Sequence, residues 1–128
     1  MSDASDRLSR ALSILNSLEP GVPDRVQGNL DAFHPDSTEL VLGYAFADVV
    51  GRSGIDLKTR EMMTVAMLAA MGTAQEQLEF HMRAAGNSGG CREEIVEIVL
   101  QVSVYAGVPA CMNAITAAKK AFEAAKIG

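Results

Sequence analysis

"REEIVEIVLQVSVYAG", residues 92–107, admits two readings. Its second half, "VLQVSVY" (99–105), is rich in β-branched side chains, which suit a pleated strand. Across the full stretch, however, Ile95, Ile98, Val99 and Val102 recur at spacings of three and four, the period of one helix face. Glu93 and Glu94 open the segment, where acids meet the positive end of a helix dipole. The helical reading is therefore taken. The fold class turns on it, because no other segment of the chain competes as a strand, and the expectation is an all-α protein.

The neighbouring segments extend the pattern. Upstream, residues 74–87 form a helix that carries His81 and is closed by "NSGG", whose glycines suit a left-handed C-terminal turn. Before it, "LKTREMMTVAMLAAMG" (57–72) is apolar nearly all round from Met62 to Met71, which predicts a helix at the centre of the fold. On this reading Met62, Met63, Met67 and Met71 are core packing rather than a ligand set. Downstream, Pro109 suits the first turn of a last helix reaching about Lys126. Towards the N-terminus, Leu8, Ala11, Leu12 and Leu15 place a helix over 3–17, and a short one covers 24–33. Asp36, with Glu39 in the capping-box position, starts another that runs to about Val50. "GRSGID" (51–56) is a loop, with Asp56 as N-cap of the helix that follows. At 128 residues the chain fits a single helical domain, with 1–35 as an N-terminal helical segment.

Composition excludes several function classes. Sixteen acids against eleven bases, a net charge of −5, leave no cationic face for nucleic acid. The longest apolar run, residues 62–71, is half of the ~20 residues a membrane helix needs. The polar start "MSDASDRLSR" has no apolar stretch of the secretory kind, so a cytoplasmic location is expected. Two cysteines twenty residues apart, Cys91 and Cys111, write neither a paired-thiol motif nor a zinc knuckle. They are expected as free thiols. Cys91 receives no role, and His34, before Pro35, reads as a surface-loop residue.

Three stretches, "GRSGIDLKTREMMTVAML", "QLEFHMRAAGNSGG" and "REEIVEIVLQVSVYAGVPACMNAITAAKKAF", resemble consecutive segments of the carboxymuconolactone decarboxylase family, over about residues 40–123. The resemblance implies an all-helical domain that assembles as trimers or hexamers, with the active site near subunit contacts. One branch of the family resembles gamma-carboxymuconolactone decarboxylase of aromatic catabolism. The other resembles the alkylhydroperoxidase D proteins, which use a C-x-x-C pair assisted by a Glu and a His. This chain matches the Glu at Glu61 and carries the histidine at His81, but "GTAQEQL" (72–78) holds no thiol pair. The decarboxylase-like branch is therefore the one implied, with a peroxidase acting through a single cysteine, Cys111 or Cys91, as the alternative. A non-catalytic helical oligomer is a third reading.

The residues themselves leave roles open. His81 is either a hydrogen-bonded core histidine or a proton-handling group, since imidazole is the usual donor or acceptor near neutral pH. Glu61, on the preceding helix, is its candidate partner or else an ion-pair partner of Arg60. A gamma-carboxy butenolide loses CO2 by pushing electrons through the ring double bond into the lactone carbonyl, giving a dienolate that must be protonated on carbon. Such a reaction is helped by a donor at the charged oxygen and by proton delivery. It calls for no metal and no organic cofactor, because the substrate contains its own electron sink. The anionic substrate predicts cations: Arg52 and Arg83 are candidates, with Arg60 behind them because it can pair near Glu61, and Arg83 is also placed to pair with Glu79 on the helix surface. Tyr105 is a candidate phenolic donor or a packing residue. Cys111, at the start of the last helix, is either core packing or a thiol activated by the helix N-terminus.

Overall fold

The computed structural model describes residues 3–128, with side chains from Asp6 onward. Its helices are α1 (Asp3–Leu18), α2 (Val22–Phe33), a π-helix (Glu39–Val50), α3 (Leu57–Met71), α4 (Gln75–Asn87), α5 (Arg92–Ala106) and α6 (Val108–Ala124). No strand occurs among the described residues, so the fold is all-α, and residues 92–106 are helical. None of these helices is long and apolar enough to cross a membrane. The chain folds as two compact units, one ending at Leu57 and one running from Lys58 to Gly128.

In the N-terminal unit α1 packs against the π-helix and α2. One guanidinium ties the first of these contacts. Arg7 donates from Nε and Nη2 to Asp48 at 3.0 and 2.8 Å, and from Nη1 to the Glu39 carboxylate. Gly43 makes room for it, because a Cβ there would stand 2.8 Å from Arg7 Nη1. The hydrogen bonds from Arg7 hold the Asp48 carboxyl below its ordinary pKa. This arrangement corrects the capping expectation at Asp36. The Glu39 side chain is engaged by Arg7 instead of reaching back to a cap, and no side chain caps the π-helix. The wider coil is itself a departure from the ordinary helix expected over 36–50. Its end shows the change of register, with the Gly51 amide donating to the Phe46 carbonyl, five residues back, at 2.8 Å. Both coils use the same backbone groups and nearly the same dihedral region, so the residue pattern carries no local signal for the difference.

In the C-terminal unit α6 packs against both α4 and α5. Its small residues Ala114, Ala117, Ala118 and Ala121 form the floor of a core completed by Val65, Leu78, Met82, Ile95, Val99 and Val102. Gly107 alone connects α5 to α6, at φ 98° and ψ 163°, a conformation essentially restricted to glycine. Pro109 follows in the first turn, where its missing N–H costs nothing.

Two expectations change here. Helix α3 is not buried all round. It buries Glu61, Val65 and Ala69, one stripe at intervals of four. Met63, Met67 and Met71 form a second stripe that is 41%, 55% and 59% exposed, so these three are not core. Cys91, assigned no role from sequence, is the N-cap of α5. Its amide donates to Glu94 Oε1 at 3.0 Å, and its sulfur accepts from the Glu94 amide, a capping box with sulfur in place of a hydroxyl.

Glu94 also meets Lys58 of α3 at 3.2 Å. The bond from the Cys91 amide, then the Cys91 side chain and Lys58, hold the Glu94 carboxyl below its ordinary pKa of 4.5. A group lowered on folding stabilises above its unfolded pKa and loses that contribution as pH falls through the folded one. Urea midpoints of the protein should therefore drop as pH falls below about 4.5. Glu94→Gln should be less stable than the parent at pH 7 and converge with it in acid.

Candidate active site

Glu61 stands in the buried stripe of α3, a carboxylate in line with Val65 and Ala69, and its side chain has no exposed surface. His81 lies in the middle of α4, one position before the core residue Met82, with 13% of its side chain exposed. The turn at Gly72 brings the two helices back on each other, and His81 Nδ1 meets Glu61 Oε1 at 2.6 Å. Opposite an ionised carboxylate, which has only lone pairs to offer, Nδ1 is the nitrogen that holds the proton and donates. That fixes the ring: Nε2 presents a lone pair when the imidazole is neutral and an N–H when it is cationic. The Phe80 ring meets the imidazole edge-on, with centroids 4.7 Å apart.

Two polar atoms of these consecutive α3 residues are buried without a hydrogen-bond partner among the described residues, Glu61 Oε2 and Arg60 Nε. Unpaired buried polar atoms cost on the order of 1–3 kcal/mol each, a cost that a bound polar group can remove. Arg60 was ranked low as a substrate contact on sequence alone. Its orphaned Nε is a signal that only the structure could give.

The other sequence candidates belong to different elements. Arg83 lies on α4 two residues beyond His81, its guanidinium 6.0 Å over the Phe80 ring. Tyr105 is 93% exposed and lines a cavity of about 370 Å³ with Ala66, Ala70, Ile98, Gln101 and Val102. Neither His81 nor Glu61 is in that cavity's wall. Arg52 belongs to the exposed loop that ends the N-terminal unit. Cys111 is a free thiol buried in the α6 face of the core, and Cys91 is free and half-buried at its cap.

A carboxylate-oriented histidine between two helices, without a thiol pair, is the local frame into which comparison with known proteins fits. Residues 35–120 match the model of the carboxymuconolactone decarboxylase family. The chain belongs to that family. It is 35% identical over 95 residues to a protein of Acinetobacter baylyi named 4-carboxymuconolactone decarboxylase, covering 74% of this chain and 70% of that one. It is 34% identical over 92 residues to a Metarhizium robertsii protein named nitrosuccinic acid decarboxylase, covering 72% of this chain and 64% of that one. Decarboxylases therefore stand among this chain's relatives in the carboxymuconolactone decarboxylase family. The match begins at Pro35, so α1 and α2 lie outside it.

Proposed function

We propose that the protein is a cofactor-independent carboxy-lyase acting on gamma-carboxymuconolactone or a related unsaturated lactone or keto acid. The observation that carries this reading is the buried Glu61 carboxylate on His81 Nδ1, which leaves Nε2 as the atom that handles a proton. The names of the two relatives add support from chemistry. In each named acid a carboxylate leaves a carbon joined to an electron sink, a conjugated lactone in one and a nitro group in the other. Both losses leave an oxygen-centred anion and a carbon that must be protonated.

His81 in its cationic form delivers that proton from Nε2, or holds the anionic oxygen by the same N–H. Glu61 keeps the ring in one tautomer and one orientation. Arg60, with its unpartnered Nε, and Arg83, on the helix of His81, are assigned to the substrate's carboxylates. The reading is tested by CO2 release from gamma-carboxymuconolactone, followed beside the loss of lactone absorbance. A peroxidase acting through one cysteine receives less support, because Cys111 is buried in the core and Cys91 is engaged as a helix cap.

Assembly into a homo-oligomer belongs to the same proposal. The methionine stripe of α3, together with Leu100 and Val104 of α5 and Met112 of α6, is apolar and more than half exposed except at Met63. Apolar surface on that scale marks an interaction face. Light scattering after size exclusion should give a multiple of 13.5 kDa. Met67→Glu should shift that mass towards the single chain, and an unchanged mass would remove the α3 stripe from the interface.

A further inference from the structure

The orientation of the histidine carries a consequence beyond decarboxylation. Glu61 Oε1 sits 2.6 Å from Nδ1, on the side of the ring away from the working nitrogen. In the neutral imidazole Nε2 is then a lone pair, a proton acceptor. When Nε2 takes a proton, the positive charge develops against a carboxylate whose side chain has no exposed surface and no other partner among the described residues. A fixed anion there supports the imidazolium in both directions, when it gives up a proton and when it has taken one from carbon.

We infer that the Glu61–His81 pair is also a carbon-acid base, and that the protein isomerises the butenolide acetate bearing hydrogen in place of the gamma-carboxylate. This rests on the proposed decarboxylase reading, whose intermediate it shares. Nε2 takes the gamma proton. The electron pair of that C–H bond becomes the beta–gamma double bond, and the alpha–beta pair moves into the lactone carbonyl. The resulting furanolate is the same anion that loss of CO2 from the gamma-carboxy lactone leaves. The imidazolium then returns its proton to the alpha carbon, giving the enol-lactone. Atoms and electrons balance with no oxidant, reductant or further reactant. A single base suffices, because the alpha and gamma carbons of the ring are separated by one atom. The substrate class thus widens from carboxylates that lose CO2 to any butenolide acetate whose gamma substituent leaves its electron pair behind.

The test follows both lactones by proton NMR in D2O, with the parent protein and His81→Gln side by side. The inference predicts that the gamma-hydrogen lactone is converted to the enol-lactone at least a hundredfold faster by the parent than by His81→Gln. Hydrogen isotope should enter at the alpha carbon, and part of the gamma protium should be carried there. Decarboxylation of the gamma-carboxy lactone, with the gamma-hydrogen lactone recovered unchanged, would overturn the inference and leave the decarboxylase standing. Inertness of both lactones would overturn the two together. Equal conversion by parent and His81→Gln would remove the histidine from the proton transfer.

Discussion

His81→Gln is expected to lower decarboxylation by about a hundredfold or more while the far-ultraviolet circular dichroism stays that of the parent. Positioned acid–base groups contribute on the order of 10²–10⁴ to a rate, and no other imidazole lies in the C-terminal unit to take over. Glutamine keeps a polar side chain of similar reach, able to donate to Glu61, so the buried carboxylate is not stranded. The loss should appear in kcat rather than in KM, because proton delivery acts on the transition state and contributes little to holding the substrate. A variant with unchanged kcat would return His81 to the role of a hydrogen-bonded core residue.

The second large effect is at Glu61, where activity and stability should separate according to the replacement. Glu61→Gln keeps the volume but replaces the anion facing Nδ1 with a neutral amide, which neither supports an imidazolium nor fixes which ring nitrogen holds the proton. Turnover is expected to fall about a hundredfold or more with the fold retained, by the same logic that makes orienting carboxylates important in other histidine sites. Glu61→Ala removes the partner altogether, leaving Nδ1–H without an acceptor and a void in line with Val65 and Ala69. That variant should also unfold at lower urea, by about 3 kcal/mol. Parental turnover in Glu61→Gln would show that His81 acts without its carboxylate.

Much of the fold was legible in the sequence, for reasons that particular residues make plain. In 92–107 the strand-like residues misled only as composition. The structure puts Ile95, Val99 and Val102 in the core and leaves Val96, Leu100 and Val104 on the outer face, so periodicity decided what propensity could not. The turns at Gly72, Gly89 and Gly107, each at positive φ, announced themselves because few other residues take that conformation. Met63, Met67 and Met71 were read wrongly, though Met62 does pack against the core, because hydrophobicity reports that a side chain avoids water and not which molecule covers it. The π-helix was invisible because its widening is a matter of which carbonyl an amide selects. The Cys91 cap was within reach, since C-x-x-E repeats the spacing of a capping box, but sulfur is an uncommon cap.

The sequence named the candidates Glu61 and His81 but not their contact. Glu61 and His81 are twenty residues apart on different helices, and no local pattern states that their atoms meet. What pointed to them was likeness to a family. The structure adds the contact at Nδ1, the burial of Glu61 and the two orphaned polar atoms. Arg52, Arg83 and Tyr105 were chosen for their chemistry alone, and they belong to a loop, to α4 and to α5 in turn.

The most direct measurement is CO2 release from gamma-carboxymuconolactone by the purified protein, with His81→Gln run under identical conditions and both checked by circular dichroism. The account predicts stoichiometric CO2 from the parent and a loss of about a hundredfold or more in the variant. Equal release from two equally folded proteins would contradict it.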